Sequence, residues 1–256
     1  MWTRMGIGLM KYAAGIAVLV VLTTQSASSQ GLDSEWALGA CMVKPNGTAT
    51  FTRTFQGGTT YDIIADGTEE ALDIDLYVQD TTGRTLVSDT RSNKQAQVSF
   101  RPSRTGTYRV VVKLASAYAS AMCNVFFINR DDGWYVPLTN VANALTRHLA
   151  FALTIEALGY TPDLIRLYGW VMRPGEERTL NLDGLARKTL LAVARGDNFA
   201  TDIDLYVRRG GLLLDYDENY DATPICVFTG SPTTTSVTVK YVSGTGASLI
   251  LLGIYE

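Results

Sequence analysis

Histidine occurs once in this 256-residue chain, as His148, and no catalytic pattern surrounds it. There is no Gly-x-Ser-x-Gly, no His-Glu-x-x-His and no phosphate-binding glycine loop. His148 sits beside Arg147 in a stretch of helical spacing, with no Ser or Cys nucleophile motif to serve. It reads as an ordinary helix residue at a surface or half-buried position. Basic blocks are also missing. Lys and Arg number 22 against 25 Asp and Glu, for a net charge of −3, which argues against a nucleic-acid partner. Low-complexity tracts are absent, and so is any apolar run of the ~20 residues that a membrane-spanning helix needs.

The longest apolar run is Ala13 to Leu22, preceded by Arg4 and Lys11 and followed by small polar residues through Ser29. That order describes a secretory signal peptide over residues 1–29, cleaved near Ala27 to Gln30. The expected product is a secreted or periplasmic chain with no stable membrane insertion once the signal is removed. Leu38-Gly39-Ala40-Cys41 has the order of a lipoprotein processing box, but Asp33 and Glu35 separate it from the apolar core. Cysteine is scarce, at Cys41, Cys123 and Cys226. Export permits a disulfide, and Cys41 with Cys123 is the pair expected from the first half. Such a bridge would close a long loop and contribute up to ~4–5 kcal/mol in the chain-entropy model. Cys226 is then left as a small buried side chain.

What is abundant is Thr, Val, Tyr and Gly, the composition of β structure with tight turns. It is also repeated. Asp73-Ile74-Asp75-Leu76-Tyr77-Val78 returns as Asp202-Ile203-Asp204-Leu205-Tyr206-Val207, an offset of 129 (202 − 73). At the same offset Thr60 falls on Thr189, Ala65 on Ala194, Gly67 on Gly196 and Ala71 on Ala200. Further on, Gly83 and Gly211 mark the next turn, and Asp89 and Asp217 match at an offset of 128. Matches at a nearly constant offset identify a duplication. Short alternating runs between Gly, Pro and Asp turns predict an antiparallel sandwich for each copy. The fold class is therefore mainly β: two tandem jelly-roll-like antiparallel β-sandwiches, over 30–130 and 161–256, joined by an α-helical connector within 131–160. Leu138, Val141, Leu145, Leu149 and Leu153 give the connector its helical spacing, with Gly159 to stop it. Thr161-Pro162-Asp163 reads as the start of a second short helix, with a first-copy counterpart around Asp33 to Leu38.

Alternation along the repeated strand sends Ile74, Leu76 and Val78 inward and Asp73, Asp75 and Tyr77 outward. The two carboxylates of each pair then stand ~7 Å apart. Their repulsion at an effective dielectric near 20 is about 2 kcal/mol, so something offsets it. A Lys or Arg on a neighbouring strand would do so, and so would a cation. With few His or Cys available, oxygen ligands suit Ca²⁺ over zinc. The candidate metal ligands are Asp73, Asp75 and Asp89 in the first copy and Asp202, Asp204, Asp215 and Asp217 in the second. A solvated acidic turn explains the same residues without an ion. Tyr216 and Tyr220, within the acidic loop, are candidate ligand contacts, because aromatics favour interfaces.

The sequence Asp-x-Asp-Leu-Tyr-Val, then Gly83, Asp89 and Gly106-Thr107-Tyr108-Arg109-Val110-Val111-Val112, resembles the bacterial pre-peptidase C-terminal domain. The likeness covers residues 60–127 and, more loosely, 189–256, where Thr234-Thr235-Ser236-Val237-Thr238-Val239 replaces the Gly-x-Tyr-x-Val element. It implies a small jelly-roll-like sandwich acting as a non-catalytic accessory or binding module, in some relatives with calcium. The functional expectation is an exported module that holds a protein or an extracellular polymer, with Ca²⁺ as its candidate cofactor. The alternative is a secreted hydrolase with an acidic, metal-dependent site between the sandwiches.

Overall fold

The structure is a computed structural model that describes residues 31–32, 37–131, 138–157 and 163–256. The signal peptide expected over residues 1–29 lies outside them. The chain divides into two compact units, residues 1–135 and 136–256.

In the first unit the strands are β1 (Gly31–Leu32), β2 (Leu38–Val43), β3 (Thr48–Phe55), β4 (Tyr61–Gly67), β5 (Ala71–Gln79), β6 (Thr85–Asp89), β7 (Gln95–Phe100), β8 (Gly106–Ala117) and β9 (Ala121–Asn129). One sheet runs β2-β9-β4-β7, with β1 also on β9, and the other runs β3-β8-β5-β6. All pairings are antiparallel. In β3 and β7 buried and exposed residues alternate, as a strand with one face on a core requires. Phe55 lies at the centre of that core, with Tyr61, Phe100, Tyr108 and Phe127 around it at ring separations of 4.8 to 6.0 Å.

The second unit opens with helix α1 (Leu138–Ala157) and continues with β10 (Leu164–Met172), β11 (Glu177–Leu182), β12 (Thr189–Gly196), β13 (Ala200–Arg209), β14 (Leu212–Asp217), β15 (Ile225–Thr229), β16 (Thr235–Gly244) and β17 (Ser248–Tyr255). Its sheets run β10-β17-β12-β15 and β11-β16-β13-β14. Counting eight strands per copy, both copies have the orders 1-8-3-6 and 2-7-4-5, the double-sheet arrangement of a jelly roll. The duplication seen in sequence is therefore a duplication of topology.

The matched glycines have a steric reason. A Cβ on Gly67 would lie 2.6 Å from Ala71 Cβ and 2.8 Å from Ile74 Cδ1. On Gly196 it would meet Ala200 Cβ at 2.4 Å and Ile203 Cδ1 at 3.0 Å. Gly and Ala are kept together because the hairpin folds tightly against the first isoleucine of the motif.

Two expectations are corrected. No second short helix follows Asp163: Leu164–Met172 is strand β10, paired with β17 along its length. Apolar residues on both sides of the strand find burial in the sheet, which outweighs the local helix signal. In the first copy, Leu38–Val43 is likewise a strand, and residues 33–36 lie outside the described set. The helix itself forms as expected, but it belongs to the second unit and packs on β17 and β12. Its buried stripe is Asn140, Val141, Ala144, His148, Phe151 and Ala152, rotated from the leucine-rich face that the spacing suggested.

Candidate functional site

Building from the motif strands, the second aspartate of each copy meets a lysine. Asp75 on β5 is the register partner of Lys113 on β8, and Lys113 Nζ lies 3.2 Å from Asp75 Oδ2. Asp204 on β13 is the register partner of Lys240 on β16, with Lys240 Nζ 3.4 Å from Asp204 Oδ2. The motif tyrosine completes each group: Tyr77 Oη donates to Asp75 at 3.0 Å and Tyr206 Oη to Asp204 at 3.1 Å. Tyr206 Oη also reaches Glu218 at 2.7 Å. Burial and these acceptors hold both tyrosine pKa values above the ordinary range. The outward face of the motif is thus not a solvated one, since both aspartates are buried. Of the two ways to offset the carboxylate repulsion, a cross-strand lysine is the one built into both copies.

The first aspartate sits at a bulge. Strand register is irregular on both sides of Asp73 and, in the second copy, of Asp202. A bulge re-aims the side chain, so Asp73 turns to the neighbouring loop and accepts from Asn93 N at 3.2 Å. Asp221 stands where Asn93 does, at the offset of 128, and Ile203 N donates to its carbonyl as Ile74 N does to that of Asn93. Asp202 gains no matching cap: its Oδ1 is buried without a partner. Burial, then the charges of Asp204 and Asp221, raise its pKa.

Asp89 and Asp217 close a sheet edge. Asp89 Oδ2 accepts from Gln97 N at 3.0 Å and pairs with Arg91 at 2.7 Å. Hydrogen bonds from Arg91 lead the causes that push the Asp89 pKa far below the carboxylate range. Asp217 Oδ2 accepts from Ile225 N at 2.9 Å, and Asp215 Oδ2 from Val227 N at 2.7 Å. Gln97 lies on β7 and Ile225 on β15, the edge strands of their sheets, so these carboxylates occupy N–H groups that would otherwise face a foreign strand.

The structure gives Asp73, Asp75, Asp89, Asp202, Asp204, Asp215 and Asp217, the candidate metal ligands, separate surroundings. These acids are dispersed over strand pairing, loop capping and edge closure. Among the described residues, no three His, Cys, Asp or Glu side chains group so as to hold an ion. Asp197 is the most buried acid, yet it accepts from Asn140 Nδ2, Phe199 N, Ser248 Oγ and Leu249 N.

His148 is buried, not half-exposed as its sequence position suggested, with 5% of its surface exposed. Its Nε2 lies 3.0 Å from Leu251 O and its Nδ1 3.1 Å from Tyr255 Oη. A carbonyl only accepts, so Nε2 carries the proton and Nδ1 accepts from the tyrosine. Burial lowers the His148 pKa to about 3, so the ring is neutral and both nitrogens are engaged in packing.

Cys41 and Cys123, the pair expected to bridge, are register partners on β2 and β9, directly opposite each other. Cys226 is a buried thiol on β15, as expected for a packing residue.

The two candidate contact tyrosines are exposed, Tyr216 by 54% and Tyr220 by 82%. Leu213 on β14 and Ile225 and Val227 on β15 are also exposed. At the same places the first copy carries Ser88, Ser92, Thr85, Gln97 and Ser99, all polar and all exposed. Structural register confirms the equivalence: Tyr77 opposes Ser88 as Tyr206 opposes Tyr216, and Ile64 opposes Gln97 as Val193 opposes Ile225. Sequence reading found the tyrosines but missed the aliphatic residues, although copy alignment at offset 128 holds that signal.

Neither a protein-family model nor a curated protein sequence matches this chain. Among solved structures it is similar to PirA, at 14% identity over 41% of this chain and 98% of that one, with a TM-score of 0.26. It is also similar to the periplasmic lysozyme inhibitor PliG of Aeromonas hydrophila, at 12% identity over 41% and 92% of the two chains, TM-score 0.28. The CBM22-1-CBM22-2 tandem domain from Paenibacillus barcinonensis covers 90% of this chain and 99% of that one at 8% identity, TM-score 0.24. Similarity this low carries no argument about this chain. Among the described residues no helix is long and apolar enough to cross a membrane.

Proposed function

We propose that this chain is an exported, non-catalytic binding module of the tandem pre-peptidase C-terminal type, whose second copy presents the contact surface. The observation that carries this reading is the contrast between equivalent positions. Five exposed polar positions of the first copy are Tyr216, Tyr220, Leu213, Ile225 and Val227 in the second. Exposed apolar side chains on the neighbouring edge strands β14 and β15 and the loop between them point to an interaction site, and tyrosine supplies a flat face with a polar tip. The shared motif residues support the same division: in both copies they are spent on holding strands together. An extracellular polymer or a protein is the kind of partner such a surface takes.

The test is depletion of the purified chain by insoluble peptidoglycan, chitin and cellulose, with envelope proteins as a parallel arm. The Tyr216→Ser, Tyr220→Ser variant restores the first copy's residues. It is expected to bind at least tenfold more weakly with an unchanged melting temperature, because both side chains are exposed. Equal retention of the variant and the parent would defeat the assignment.

A further inference from the structure

A second feature of the same unit lies apart from that edge. Between the C-terminal half of α1 and the 221–223 segment runs an open groove of about 570 Å³. Arg195 of β12 lines it, with Phe151 and Thr154 of α1 and Thr223 opposite. Arg195 is 6% exposed, and its guanidinium carbon lies 5.0 Å above the Phe151 ring. Nη1 donates to Ala194 O at 2.7 Å and to Pro224 O at 3.4 Å. Among the described residues, Nε and Nη2 have no hydrogen-bond partner, and they are not fully buried. No carboxylate among the described residues pairs with Arg195.

That is an unusual state for a buried cation. Arginine does not lose its charge, and a buried charge is normally paired. Arg147 also lines the groove and has no carboxylate partner among the described residues. Its donors go to Gly196 O, Asp197 O and Asn198 Oδ1. Burial, with a contribution from Arg147, draws the Arg195 pKa down to about 10. Asp221 and Asp217 act on Arg195 by charge without hydrogen bonding to it; Asp217 is held by Ile225 N and Asn219, and Asp221 Oδ1 by Thr223. The first copy has Asp66 at the position of Arg195 and no described counterpart of α1, so this arrangement belongs to the second copy.

We propose that this groove binds the carboxylate of a sugar acid, with Arg195 as the anion-binding residue. The Nε and Nη2 edge of Arg195 is one planar fork, which matches the two oxygens of a carboxylate. A phosphate dianion calls for further donors on its remaining oxygens, beyond this one fork. The hydroxyls select for what else the ligand carries. Thr154 Oγ1 donates to Ala150 O and Thr223 Oγ1 to Asp221 Oδ1, each at 2.8 Å. Having donated within the protein, they offer lone pairs, and the complement is a ligand rich in hydroxyl donors.

The experiment titrates the purified chain calorimetrically with trigalacturonate, with a neutral galactose trisaccharide and inorganic phosphate as comparisons. Saturable binding of trigalacturonate that weakens with salt is expected, with neither comparison binding within tenfold of it. Arg195→Gln is expected to lose at least tenfold in affinity while its melting temperature holds or rises, since a structural arginine would lower it. Arg195→Lys keeps the charge and loses the fork, and is expected to bind several-fold more weakly. The Tyr216→Ser, Tyr220→Ser variant keeps its trigalacturonate affinity, which separates this groove from the aromatic edge. Absence of trigalacturonate binding, equal binding of the neutral sugar, tighter binding of phosphate, or full affinity in both Arg195 variants overturns the proposal.

Discussion

At the scale of single residues, His148 shows how far burial can move a side chain from its sequence reading. Next to Arg147 on a helix, the only histidine of the chain looks like a surface residue. The fold turns it toward β17, where Leu251 O and Tyr255 Oη fix one neutral tautomer. Its folded pKa, about 3, lies below the ordinary 6.5, so the unfolded chain binds the extra proton between those values. Stability from this group is complete above pH 6.5 and is lost as pH falls toward 3, by an amount on the order of a few kcal/mol. The melting temperature is therefore expected to decline from pH 6.5 to 4, and His148→Gln to flatten that slope even if it melts lower at pH 7. A slope unchanged in the variant would assign the titration elsewhere. Asp89, with its depressed pKa, contributes its own loss only below the carboxylate range. Asp66 and Asp202, raised by burial, act with the opposite sign, gaining relative stability as they protonate. None of this was legible beforehand, because helical spacing does not say which face of α1 meets the sheet.

Among elements, the edge strands and the cysteine ladder lead to separate expectations. Asp89 guards β7, and Asp215 and Asp217 guard β15, by accepting from backbone N–H groups at the sheet edge. Asp89→Ala and Asp217→Ala each leave such a donor without its carboxylate, at a cost of about 1–3 kcal/mol if no water replaces it. Light scattering after mild heating is expected to show earlier association in both variants than in the parent, since unpaired edges template pairing. Unchanged scattering would reduce these acids to local caps. On the other side of the first unit, β2 and β9 place Cys41 opposite Cys123. Burial pushes the Cys123 thiol up to about 12, so the more exposed Cys41 is the better attacking thiolate. Glutathione disulfide is expected to convert the pair to an intramolecular disulfide, releasing two glutathione thiols and leaving Cys226 reduced. Intact mass and thiol titration read this directly, and three titratable thiols after oxidant treatment in denaturant would refute it. Register here was beyond the sequence: pairing two cysteines by their presence in one half gives no distance, whereas antiparallel alignment of β2 with β9 does.

For the molecule as a whole, the acidic motif ties strands together through Lys113 and Lys240. A thermal melt in calcium and then in excess chelator is expected to give coincident curves, because no three of the described acids converge. A clear rise with calcium would mean that the loops rearrange to bind it, since an ion stabilises the state to which it binds. By itself the sequence determined the duplication, the jelly-roll-like class, most strand positions and the tight Gly67–Ala71 and Gly196–Ala200 hairpins. Those properties follow from period-two burial and from local steric limits, which are written in neighbouring residues. Only the tertiary structure decided what the repeated aspartates do, because their partners Lys113 and Lys240 lie more than thirty residues away and meet them only through strand register. It also turned Leu164–Met172 from an expected helix into a strand, since pairing with β17 outweighs a local start signal. The groove at Arg195 was equally hidden: it needs α1, β12 and the 221–223 segment brought together, and no short-range pattern encodes that meeting.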